Sequence, residues 1–303
     1  YYKGEPSIKN VVFQIIENAD TAILALQNGE VDAYQMTPQQ VKKLDLDASN
    51  LSTYSYSEGR VGYLEINCNR VTDEKVRKAL LYAMDRKAMD DAAFESSEYY
   101  SIPYTFLPTN SQFYTEDGVE KYEQDVDKAK SMLEDAGVSG LKLKLGYMSS
   151  DAVQSAQALL IQEQLKEVGV TVELAGGDGT AIANAMKDPD NEYDMYLGGY
   201  IMGIDPDTFS SLFENDGAYN YMHYSGYDTI DQLFEEGRSE LDESARKETY
   251  AKLQAAVQDT GAFYPIISNN KILVVNNRIQ GVEDAGLVPV YTFEDTSSLK
   301  IAE

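Results

Sequence analysis

The sequence holds one cysteine, Cys68, and one histidine, His223. A single cysteine excludes an intrachain disulfide and leaves the redox compartment open. One Cys and one His cannot supply the usual zinc ligand set. A Ser-His-Asp or Cys-His system would have to use His223, which stands in Tyr221-Met-His-Tyr224, and no Gly-x-Ser-x-Gly elbow occurs. Cys68 follows a strand-like run with no evident base beside it. No catalytic residue, metal ligand or cofactor is therefore assigned. Long apolar runs are missing as well, none approaching the ~18–20 residues of a transmembrane helix. Basic residues are scarce: 25 Lys plus Arg stand against 51 Asp plus Glu, a formal net charge of −26. Such a surface repels phosphate backbones and anionic membranes, so nucleic acid is not an expected partner.

Phosphate and calcium loops are wanting too. Gly198, Gly199 and Gly203 in Leu197-Gly-Gly-Tyr-Ile-Met-Gly-Ile-Asp-Pro-Asp-Thr-Phe209 match neither G-x-G-x-x-G nor the P-loop. Gly176-Gly-Asp-Gly179 reads as a turn and cap, and Asp188-Pro-Asp-Asn-Glu192 as a solvated turn without the EF-hand pattern. Acid pairs are common in so acidic a chain. Asp205 before Pro206 has a plain structural account: a cap, with proline at the first helical position where its missing N–H costs nothing.

What is present is an ordinary globular composition, 43% hydrophobic and 25% charged over 303 residues. Residues 11–16, Val-Val-Phe-Gln-Ile-Ile, read as a strand. Residues 18–29 read as a helix stopped by Asn28-Gly29, and 31–34 as a strand. A helix starting at Thr37-Pro38 runs to Leu44. Residues 61–67 alternate with a period of two, and Thr72 or Asp73 then caps a helix with Val76, Ala79, Leu80, Ala83 and Met84 on one face. Residues 104–122 are irregular, and a helix from 125 to 136 ends at Gly137. From 141 to 197 the order is β-α-β-α-β, the middle helix placing Val153, Ala156, Leu160 and Leu165 inward. That alternation argues for an α/β fold with a largely parallel sheet and helices on both faces. Two helices around 230–234 and 245–257 follow, then β-rich segments at 263–267, 271–275 and 288–293. Internal repeats and low-complexity linkers are absent.

Five blocks in order resemble one family, the extracytoplasmic solute-binding proteins of ABC importers in the oligopeptide, dipeptide and nickel group (family 5). They are Ala22-Ile-Leu-Ala-Leu-Gln-Asn-Gly-Glu-Val-Asp-Ala-Tyr34; Tyr63-Leu-Glu-Ile-Asn67 followed by Val76-Arg-Lys-Ala-Leu-Leu-Tyr-Ala-Met-Asp-Arg86; Asp127-Lys-Ala-Lys-Ser-Met-Leu-Glu-Asp-Ala-Gly137; Ile161-Gln-Glu-Gln-Leu-Lys-Glu-Val-Gly-Val170; and the glycine-rich stretch at 197–209 with Asp228-Thr-Ile-Asp-Gln-Leu233. The second is the most specific. The opening Tyr1-Tyr-Lys-Gly-Glu-Pro, without initiator Met or signal peptide, is similar to an interior segment of the family. The chain is thus expected to be the C-terminal portion of a longer protein whose targeting segment lies upstream.

The resemblance implies a type II periplasmic-binding-protein fold. Residues 1–66 and 268–303 would form an incomplete first lobe, and 67–267 a C-terminal α/β lobe with a mixed, mainly parallel sheet and flanking helices. It implies a monomer that captures a small solute or peptide between two lobes and delivers it to a membrane permease. Its place would be extracytoplasmic, with a lipid anchor upstream. Lobe closure implies that the longer protein binds its ligand while this portion binds weakly or not at all. By the same resemblance the ligand-contacting residues are Tyr34 and Gln35; Tyr63, Glu65 and Asn67 on the hinge strand; and Gly199, Tyr200, Ile201, Met202, Gly203 and Asp205. Loops at the ends of α/β strands are where such sheets bind ligands on physical grounds too. Peptide binders of the family place an acid in that last loop, against the ligand's ammonium. Here its position falls on Met202 or Gly203. Aromatic and Met walls also suit sugars, modified peptides or metal chelates. Tyr63 and Tyr200 have core packing as the alternative to ligand contact, and Asn67 and Asp205 a structural role. An enzyme, such as a hydrolase, is disfavoured by the missing nucleophile–base pairs; a sensor on the same scaffold stays open.

Overall fold

The computed structural model describes residues 5–94, 96–203, 205–225, 228–288 and 292–302. The opening Tyr1–Gly4 motif, Ile204 of the glycine-rich stretch and the middle of the 288–293 segment lie outside them. The chain divides into two compact units, Tyr1–Glu58 with Asn269–Glu303 and Gly59–Ser268.

The first unit opens with helix α1 (Ala19–Gln27), strand β1 (Ala33–Met36), helix α2 (Pro38–Val41) and strand β2 (Leu51–Ser57). Local chemistry sets these starts and stops. The Asn18 side chain accepts from Thr21 N at 2.9 Å, and Gly29 follows the helix at φ +71°, a left-handed stop that glycine adopts freely. Thr37 and Gln40 form a reciprocal capping box around Pro38 at the first turn.

Residues 11–16 belong to no helix or strand among the described residues, and Phe13 is 93% and Ile15 92% exposed. The strand reading fails there because β-branched composition supplies propensity but no ladder partner. An exposed apolar run of this kind is an aggregation template. Val12→Lys with Phe13→Ser is expected to leave the melting temperature of this chain unchanged, a surface effect within about 0.5 kcal/mol. Light scattering on heating should fall; unchanged scattering would count against the run as the template.

The second unit is built on β3 (Arg60–Ile66). Helices α3 (Glu74–Tyr82) and α4 (Arg86–Phe94), a short β4 (Tyr100–Ser101) and α5 (Val126–Asp135) follow. Then come β5 (Lys142–Met148), α6 (Ala152–Glu167), β6 (Thr171–Gly177), α7 (Gly179–Met186) and β7 (Met195–Ile201). Short α8 (Ser210–Phe213), α9 (Asp228–Ser239) and α10 (Glu243–Asp259) lead into β8 (Phe263–Asn276). The strand order within the unit is β8-β3-β7-β5-β6. The expected parallel pairing is realised in β7-β5-β6, and β3 runs antiparallel to both β7 and β8, so the sheet is mixed.

Alternation on β3 divides two cores. Leu64 and Ile66 face Leu197, Tyr264 and the inward sides of α3, α5 and α6, including Ala79, Leu80 and Ile161. Val61 and Tyr63 face Phe263, Phe209, Phe213, Tyr250 and Leu253. On α6 the buried side chains are Gln154, Gln157, Ala158, Ile161, Gln164 and Leu165. Val153, Ala156 and Leu160, expected inward, are only half-buried. Glutamine turns inward because it completes backbone groups: Gln154 Oε1 accepts from Met148 N at 2.8 Å and Gln164 Oε1 from Asp85 N at 3.0 Å.

Back in the first unit, residues 270–276 of β8 pair with β2 and 272–275 with β1. Short strands close the chain: β9 (Ile279–Gln280) with β12 (Lys300–Ile301), and β10 (Leu287–Val288) with β11 (Thr292–Phe293).

Candidate functional site

The sequence singles out β3 and the loop after β7, and register brings those segments together. Cα pairing sets Tyr63 opposite Gly198, Glu65 opposite Tyr196 and Val61 opposite Tyr200. Because side chains alternate, Val61, Tyr63 and Glu65 share one face. Tyr63 is buried, its ring 4.6 Å from that of Phe263. Burial, and next the charge of Glu65, push its phenol well above the usual range.

The paired glycines are explained by the neighbouring strand. A Cβ on Gly198 would come 2.6 Å from Tyr63 Cε2 and 3.0 Å from Tyr196 Cε1. A Cβ on Gly199 would lie 1.9 Å from Arg60 Nη2. Gly198 thus makes room for two tyrosine rings and Gly199 for a guanidinium. At Gly203 the nearest atom to such a Cβ is Thr208 Oγ1 at 3.5 Å, so that position is comparatively open.

Beyond β7, Ile201 is exposed and Met202 half-buried, its N–H donating to Gly59 O at 2.9 Å. The Tyr200 hydroxyl shares a hydrogen bond with Ser211 Oγ at 2.9 Å, and its ring lies 5.3 Å from Phe209 and 6.3 Å from Tyr219. Asp205 caps the 3-10 turn Pro206–Phe209 by accepting from Asp207 N at 2.9 Å. Arg246 Nη2 reaches both of its oxygens, at 2.8 and 2.7 Å. The structural account of Asp205-Pro206 therefore has geometry behind it, and that carboxylate already has a cation. Asn67 is similarly engaged: its Nδ2 donates to Tyr193 O at 3.4 Å and its Oδ1 accepts from Asn69 N at 3.0 Å.

Glu65 differs from all of these. It is fully buried, and neither carboxyl oxygen has a hydrogen-bond partner. Desolvation holds its carboxyl well above the ordinary carboxylate range. Its charge acts on the hydroxyls of Tyr63, Tyr196 and Tyr221. The Tyr196 and Tyr221 rings meet edge to face at 5.9 Å. Burial first, then Glu65, push Tyr196 up to about 12.

Tyr221 also lines a cleft of about 420 Å³, together with Asn69, Lys187, Asp216, Asn220 and His223. His223 stands at φ +49°, with Nε2 2.7 Å from Met186 O; a carbonyl can only accept, so that nitrogen is the donor. Burial pushes the Cys68 thiol up to about 11, the reverse of an activated thiolate. Among the described residues no group of three or more His, Cys, Asp and Glu could hold a metal ion. The sequence reading missed Arg60, Tyr196, Tyr221 and Arg246. The first two are revealed only by strand register, the last two by a loop and a helix distant in sequence.

In the first unit, Tyr34 is half-buried, and Gln35, on the next β1 position, donates to Tyr56 Oη at 2.8 Å. The two residues point to opposite sides of β1.

Comparison with known proteins gives three consistent results. A family model described as bacterial extracellular solute-binding proteins, family 5 Middle, matches residues 1–221. The oligopeptide-binding protein AppA of Bacillus subtilis is 25% identical over 304 residues, covering 91% of this chain and 54% of that protein. The dipeptide-binding protein of Escherichia coli is 25% identical over 292 residues, covering 93% and 54%. The crystal structure of the ABC transporter substrate binding protein CtaP from Listeria monocytogenes superposes with a TM-score of 0.92 at 37% identity, over 100% of this chain and 62% of that one. The chain spans about half the length, 54%, of these two curated relatives.

Proposed function

We propose, for a chain that belongs to the bacterial extracellular solute-binding proteins of family 5, that it is part of the solute-capturing component of an ABC importer and that its solute is a peptide. The observation that carries this is the family match across residues 1–221, joined to relatives named for oligopeptides and dipeptides. Chemistry within the second unit supports binding over turnover. The His223 ring is spent on a backbone carbonyl, the Cys68 thiol is held protonated, and the Asp205 carboxylate is held by Arg246. Residues 1–66 with 268–303 are assigned to the first lobe and 67–267 to the second. Tyr34 and Gln35, Tyr63 and Glu65 on the hinge strand, and Tyr200, Ile201, Met202 and Gly203 on the second lobe are assigned to solute contact, with Gly199, Asn67 and Asp205 shaping the walls. A membrane permease is the partner, the protein is monomeric, and a lipid anchor holds it outside the cytoplasm.

Native mass spectrometry of the protein purified from its source tests this. The expected spectrum shows a monomer carrying adducts whose masses and fragments are those of short peptides. A sugar or a metal chelate as the retained species would replace the peptide reading, and turnover of a peptide or ester abolished by His223→Ala would replace binding by catalysis.

A further inference from the structure

We propose that Arg238 of α9 and Arg246 of α10 are positioning residues for solute capture: they hold residues 205–214, and through them Tyr200 and Gly203, in the shape that receives the solute. This rests on the assignment of Tyr200 and Gly203 to solute contact above. The held segment has little stability of its own. It consists of the turn Pro206–Phe209 and the four-residue α8, far short of the roughly 12–15 residues at which a helix begins to stand alone in water. Its apolar side is anchored, since Phe209, Leu212 and Phe213 are fully buried. Its polar side carries Asp205, Asp207 and Glu214, and the arginines that meet these acids come from the two helices that follow. Arg246 Nη2 lies 2.8 and 2.7 Å from the two Asp205 oxygens, and its Nε donates to Gly237 O of α9 at 2.7 Å. Arg238 donates from Nε to Asp207 Oδ1 at 2.8 Å, from Nη2 to Glu214, and from Nη1 to Glu235 Oε2 at 3.1 Å. Asp231, also on α9, accepts from Asn215 N at 3.0 Å and from Asn215 Nδ2 at 2.9 Å.

Side chains carry this hold to the solute residues. Thr208 Oγ1 donates to Asp205 O at 2.7 Å, and Ser211 Oγ donates to Thr208 O at 3.2 Å and shares a 2.9 Å hydrogen bond with the Tyr200 hydroxyl. Thr208 Oγ1 is also the atom that a Cβ on Gly203 would meet first. A shift of 205–211 therefore moves both the partner of Tyr200 and the backing of Gly203. The two helices do not depend on these arginines for their own packing, which Ile230, Leu233, Phe234, Tyr250 and Leu253 supply in the apolar core. An isolated ion pair as exposed as this one, with 35% of the Arg238 side chain accessible, contributes little. Three carboxylates gathered on one guanidinium are a different case. Without Arg238, Asp207, Glu214 and Glu235 surround a vacated cation position in a chain of net charge −26. Their mutual repulsion then drives the segment away from α9 rather than merely releasing it.

The test uses the full-length protein, freed of retained solute, with a randomised tetrapeptide pool as probe, at a temperature where circular dichroism shows every variant fully folded. Arg238→Met and Arg246→Met keep the apolar stem, and each is expected to bind the pool at least about tenfold more weakly, the loss that follows when only one molecule in ten holds the receptive shape. Hydrogen exchange should quicken in 205–214 and stay unchanged in β3. Adding Asp207→Asn and Glu214→Gln to Arg238→Met removes the repulsion and should recover most of the affinity. Lys247→Gln, which breaks the exposed pair with Glu243 on the same α10, should bind as wild type does. Unchanged affinity in both methionine variants overturns the positioning role and leaves solute binding intact. Weakened binding with unchanged exchange in 205–214, or without recovery on neutralisation, overturns it as well. No retention of the pool by wild type overturns the peptide reading and this inference with it.

Discussion

Arg77→Ala is expected to destabilise the Gly59–Ser268 unit by about 3–5 kcal/mol, since it strips the donor from buried carbonyls, at about 1–3 kcal/mol for each one left unsatisfied, and opens a void. Arg77 is 3% exposed. Its Nε and Nη2 donate to Thr260 O at 3.2 and 2.9 Å, and its Nη1 to Val71 O and Thr72 O at 3.0 Å each. A planar fork thus ties the turn before α3 to the turn before β8. Alanine would leave those buried carbonyls without that donor and open a void, and the two penalties add. Arg86 serves the same strand, donating from Nε to Pro265 O at 2.7 Å with its guanidinium 4.0 Å from the Tyr264 ring centre. Set against a typical domain stability of roughly 5–15 kcal/mol, the loss would be severe. Arg77→Lys should recover only a fraction, because a point ammonium cannot reproduce the fork. Urea unfolding followed by circular dichroism reads the effect. A shift below about 1 kcal/mol for Arg77→Ala would refute the clamp, since surface arginines typically lose less than that.

That clamp shows which kinds of information a sequence exposes. Helix α3 was legible because its signals are local: Asp73 caps Lys75 N at 2.8 Å, and Val76, Ala79 and Leu80 recur on one face. Strand β3 was legible by its period of two. The β8 region was read as two segments because its neighbours change along it: β3 pairs with its first half, and β1 and β2 with its second. Residues 11–16 misled because composition reports strand propensity while pairing depends on a second strand. Glutamines at 154, 157 and 164 hid the inward face of α6, since a polar side chain scores as outward unless its buried partner is known. Those partners are a backbone N–H for Gln154 and Gln164 and the Asp90 carboxyl for Gln157. For the site, Tyr63 and Glu65 were reachable through the resemblance and the alternation. Tyr196 and Tyr221 were not, because 131 and 156 positions separate them from Glu65 in the numbering, and only register and loop folding close those gaps.

Stability is expected to fall between pH 5 and pH 8, and Asp90→Asn to remove a large part of that fall. Asp90 on α4 is fully buried; Gln157 Nε2 reaches its Oδ1 at a long 3.4 Å, and its Oδ2 has no partner. Desolvation pushes its carboxyl up to about 8 from an ordinary 3.8; the Gln157 hydrogen bond and the Arg86 charge oppose the shift, and Asp91 and Asp85 add to it. Between those two values the folded chain holds a proton that the unfolded chain has released. The folded state is therefore favoured at low pH and loses ground as pH rises from the unfolded value towards the folded one. Over three pH units the loss is roughly 3 kcal/mol, at about 1.4 kcal/mol per unit with allowance for local relaxation. Glu65 acts in the same direction through its own raised carboxyl. Deprotonation of a chain that carries a net charge of −26 at pH 7 adds self-repulsion of the same sign. That background is common to wild type and variant, so the difference between their urea midpoints isolates Asp90. Asparagine keeps the shape and an acceptor for Gln157 but has no proton to lose. Its midpoint should match wild type near pH 5 and exceed it progressively towards pH 8. Parallel curves across that range would show that Asp90 does not take up its proton on folding.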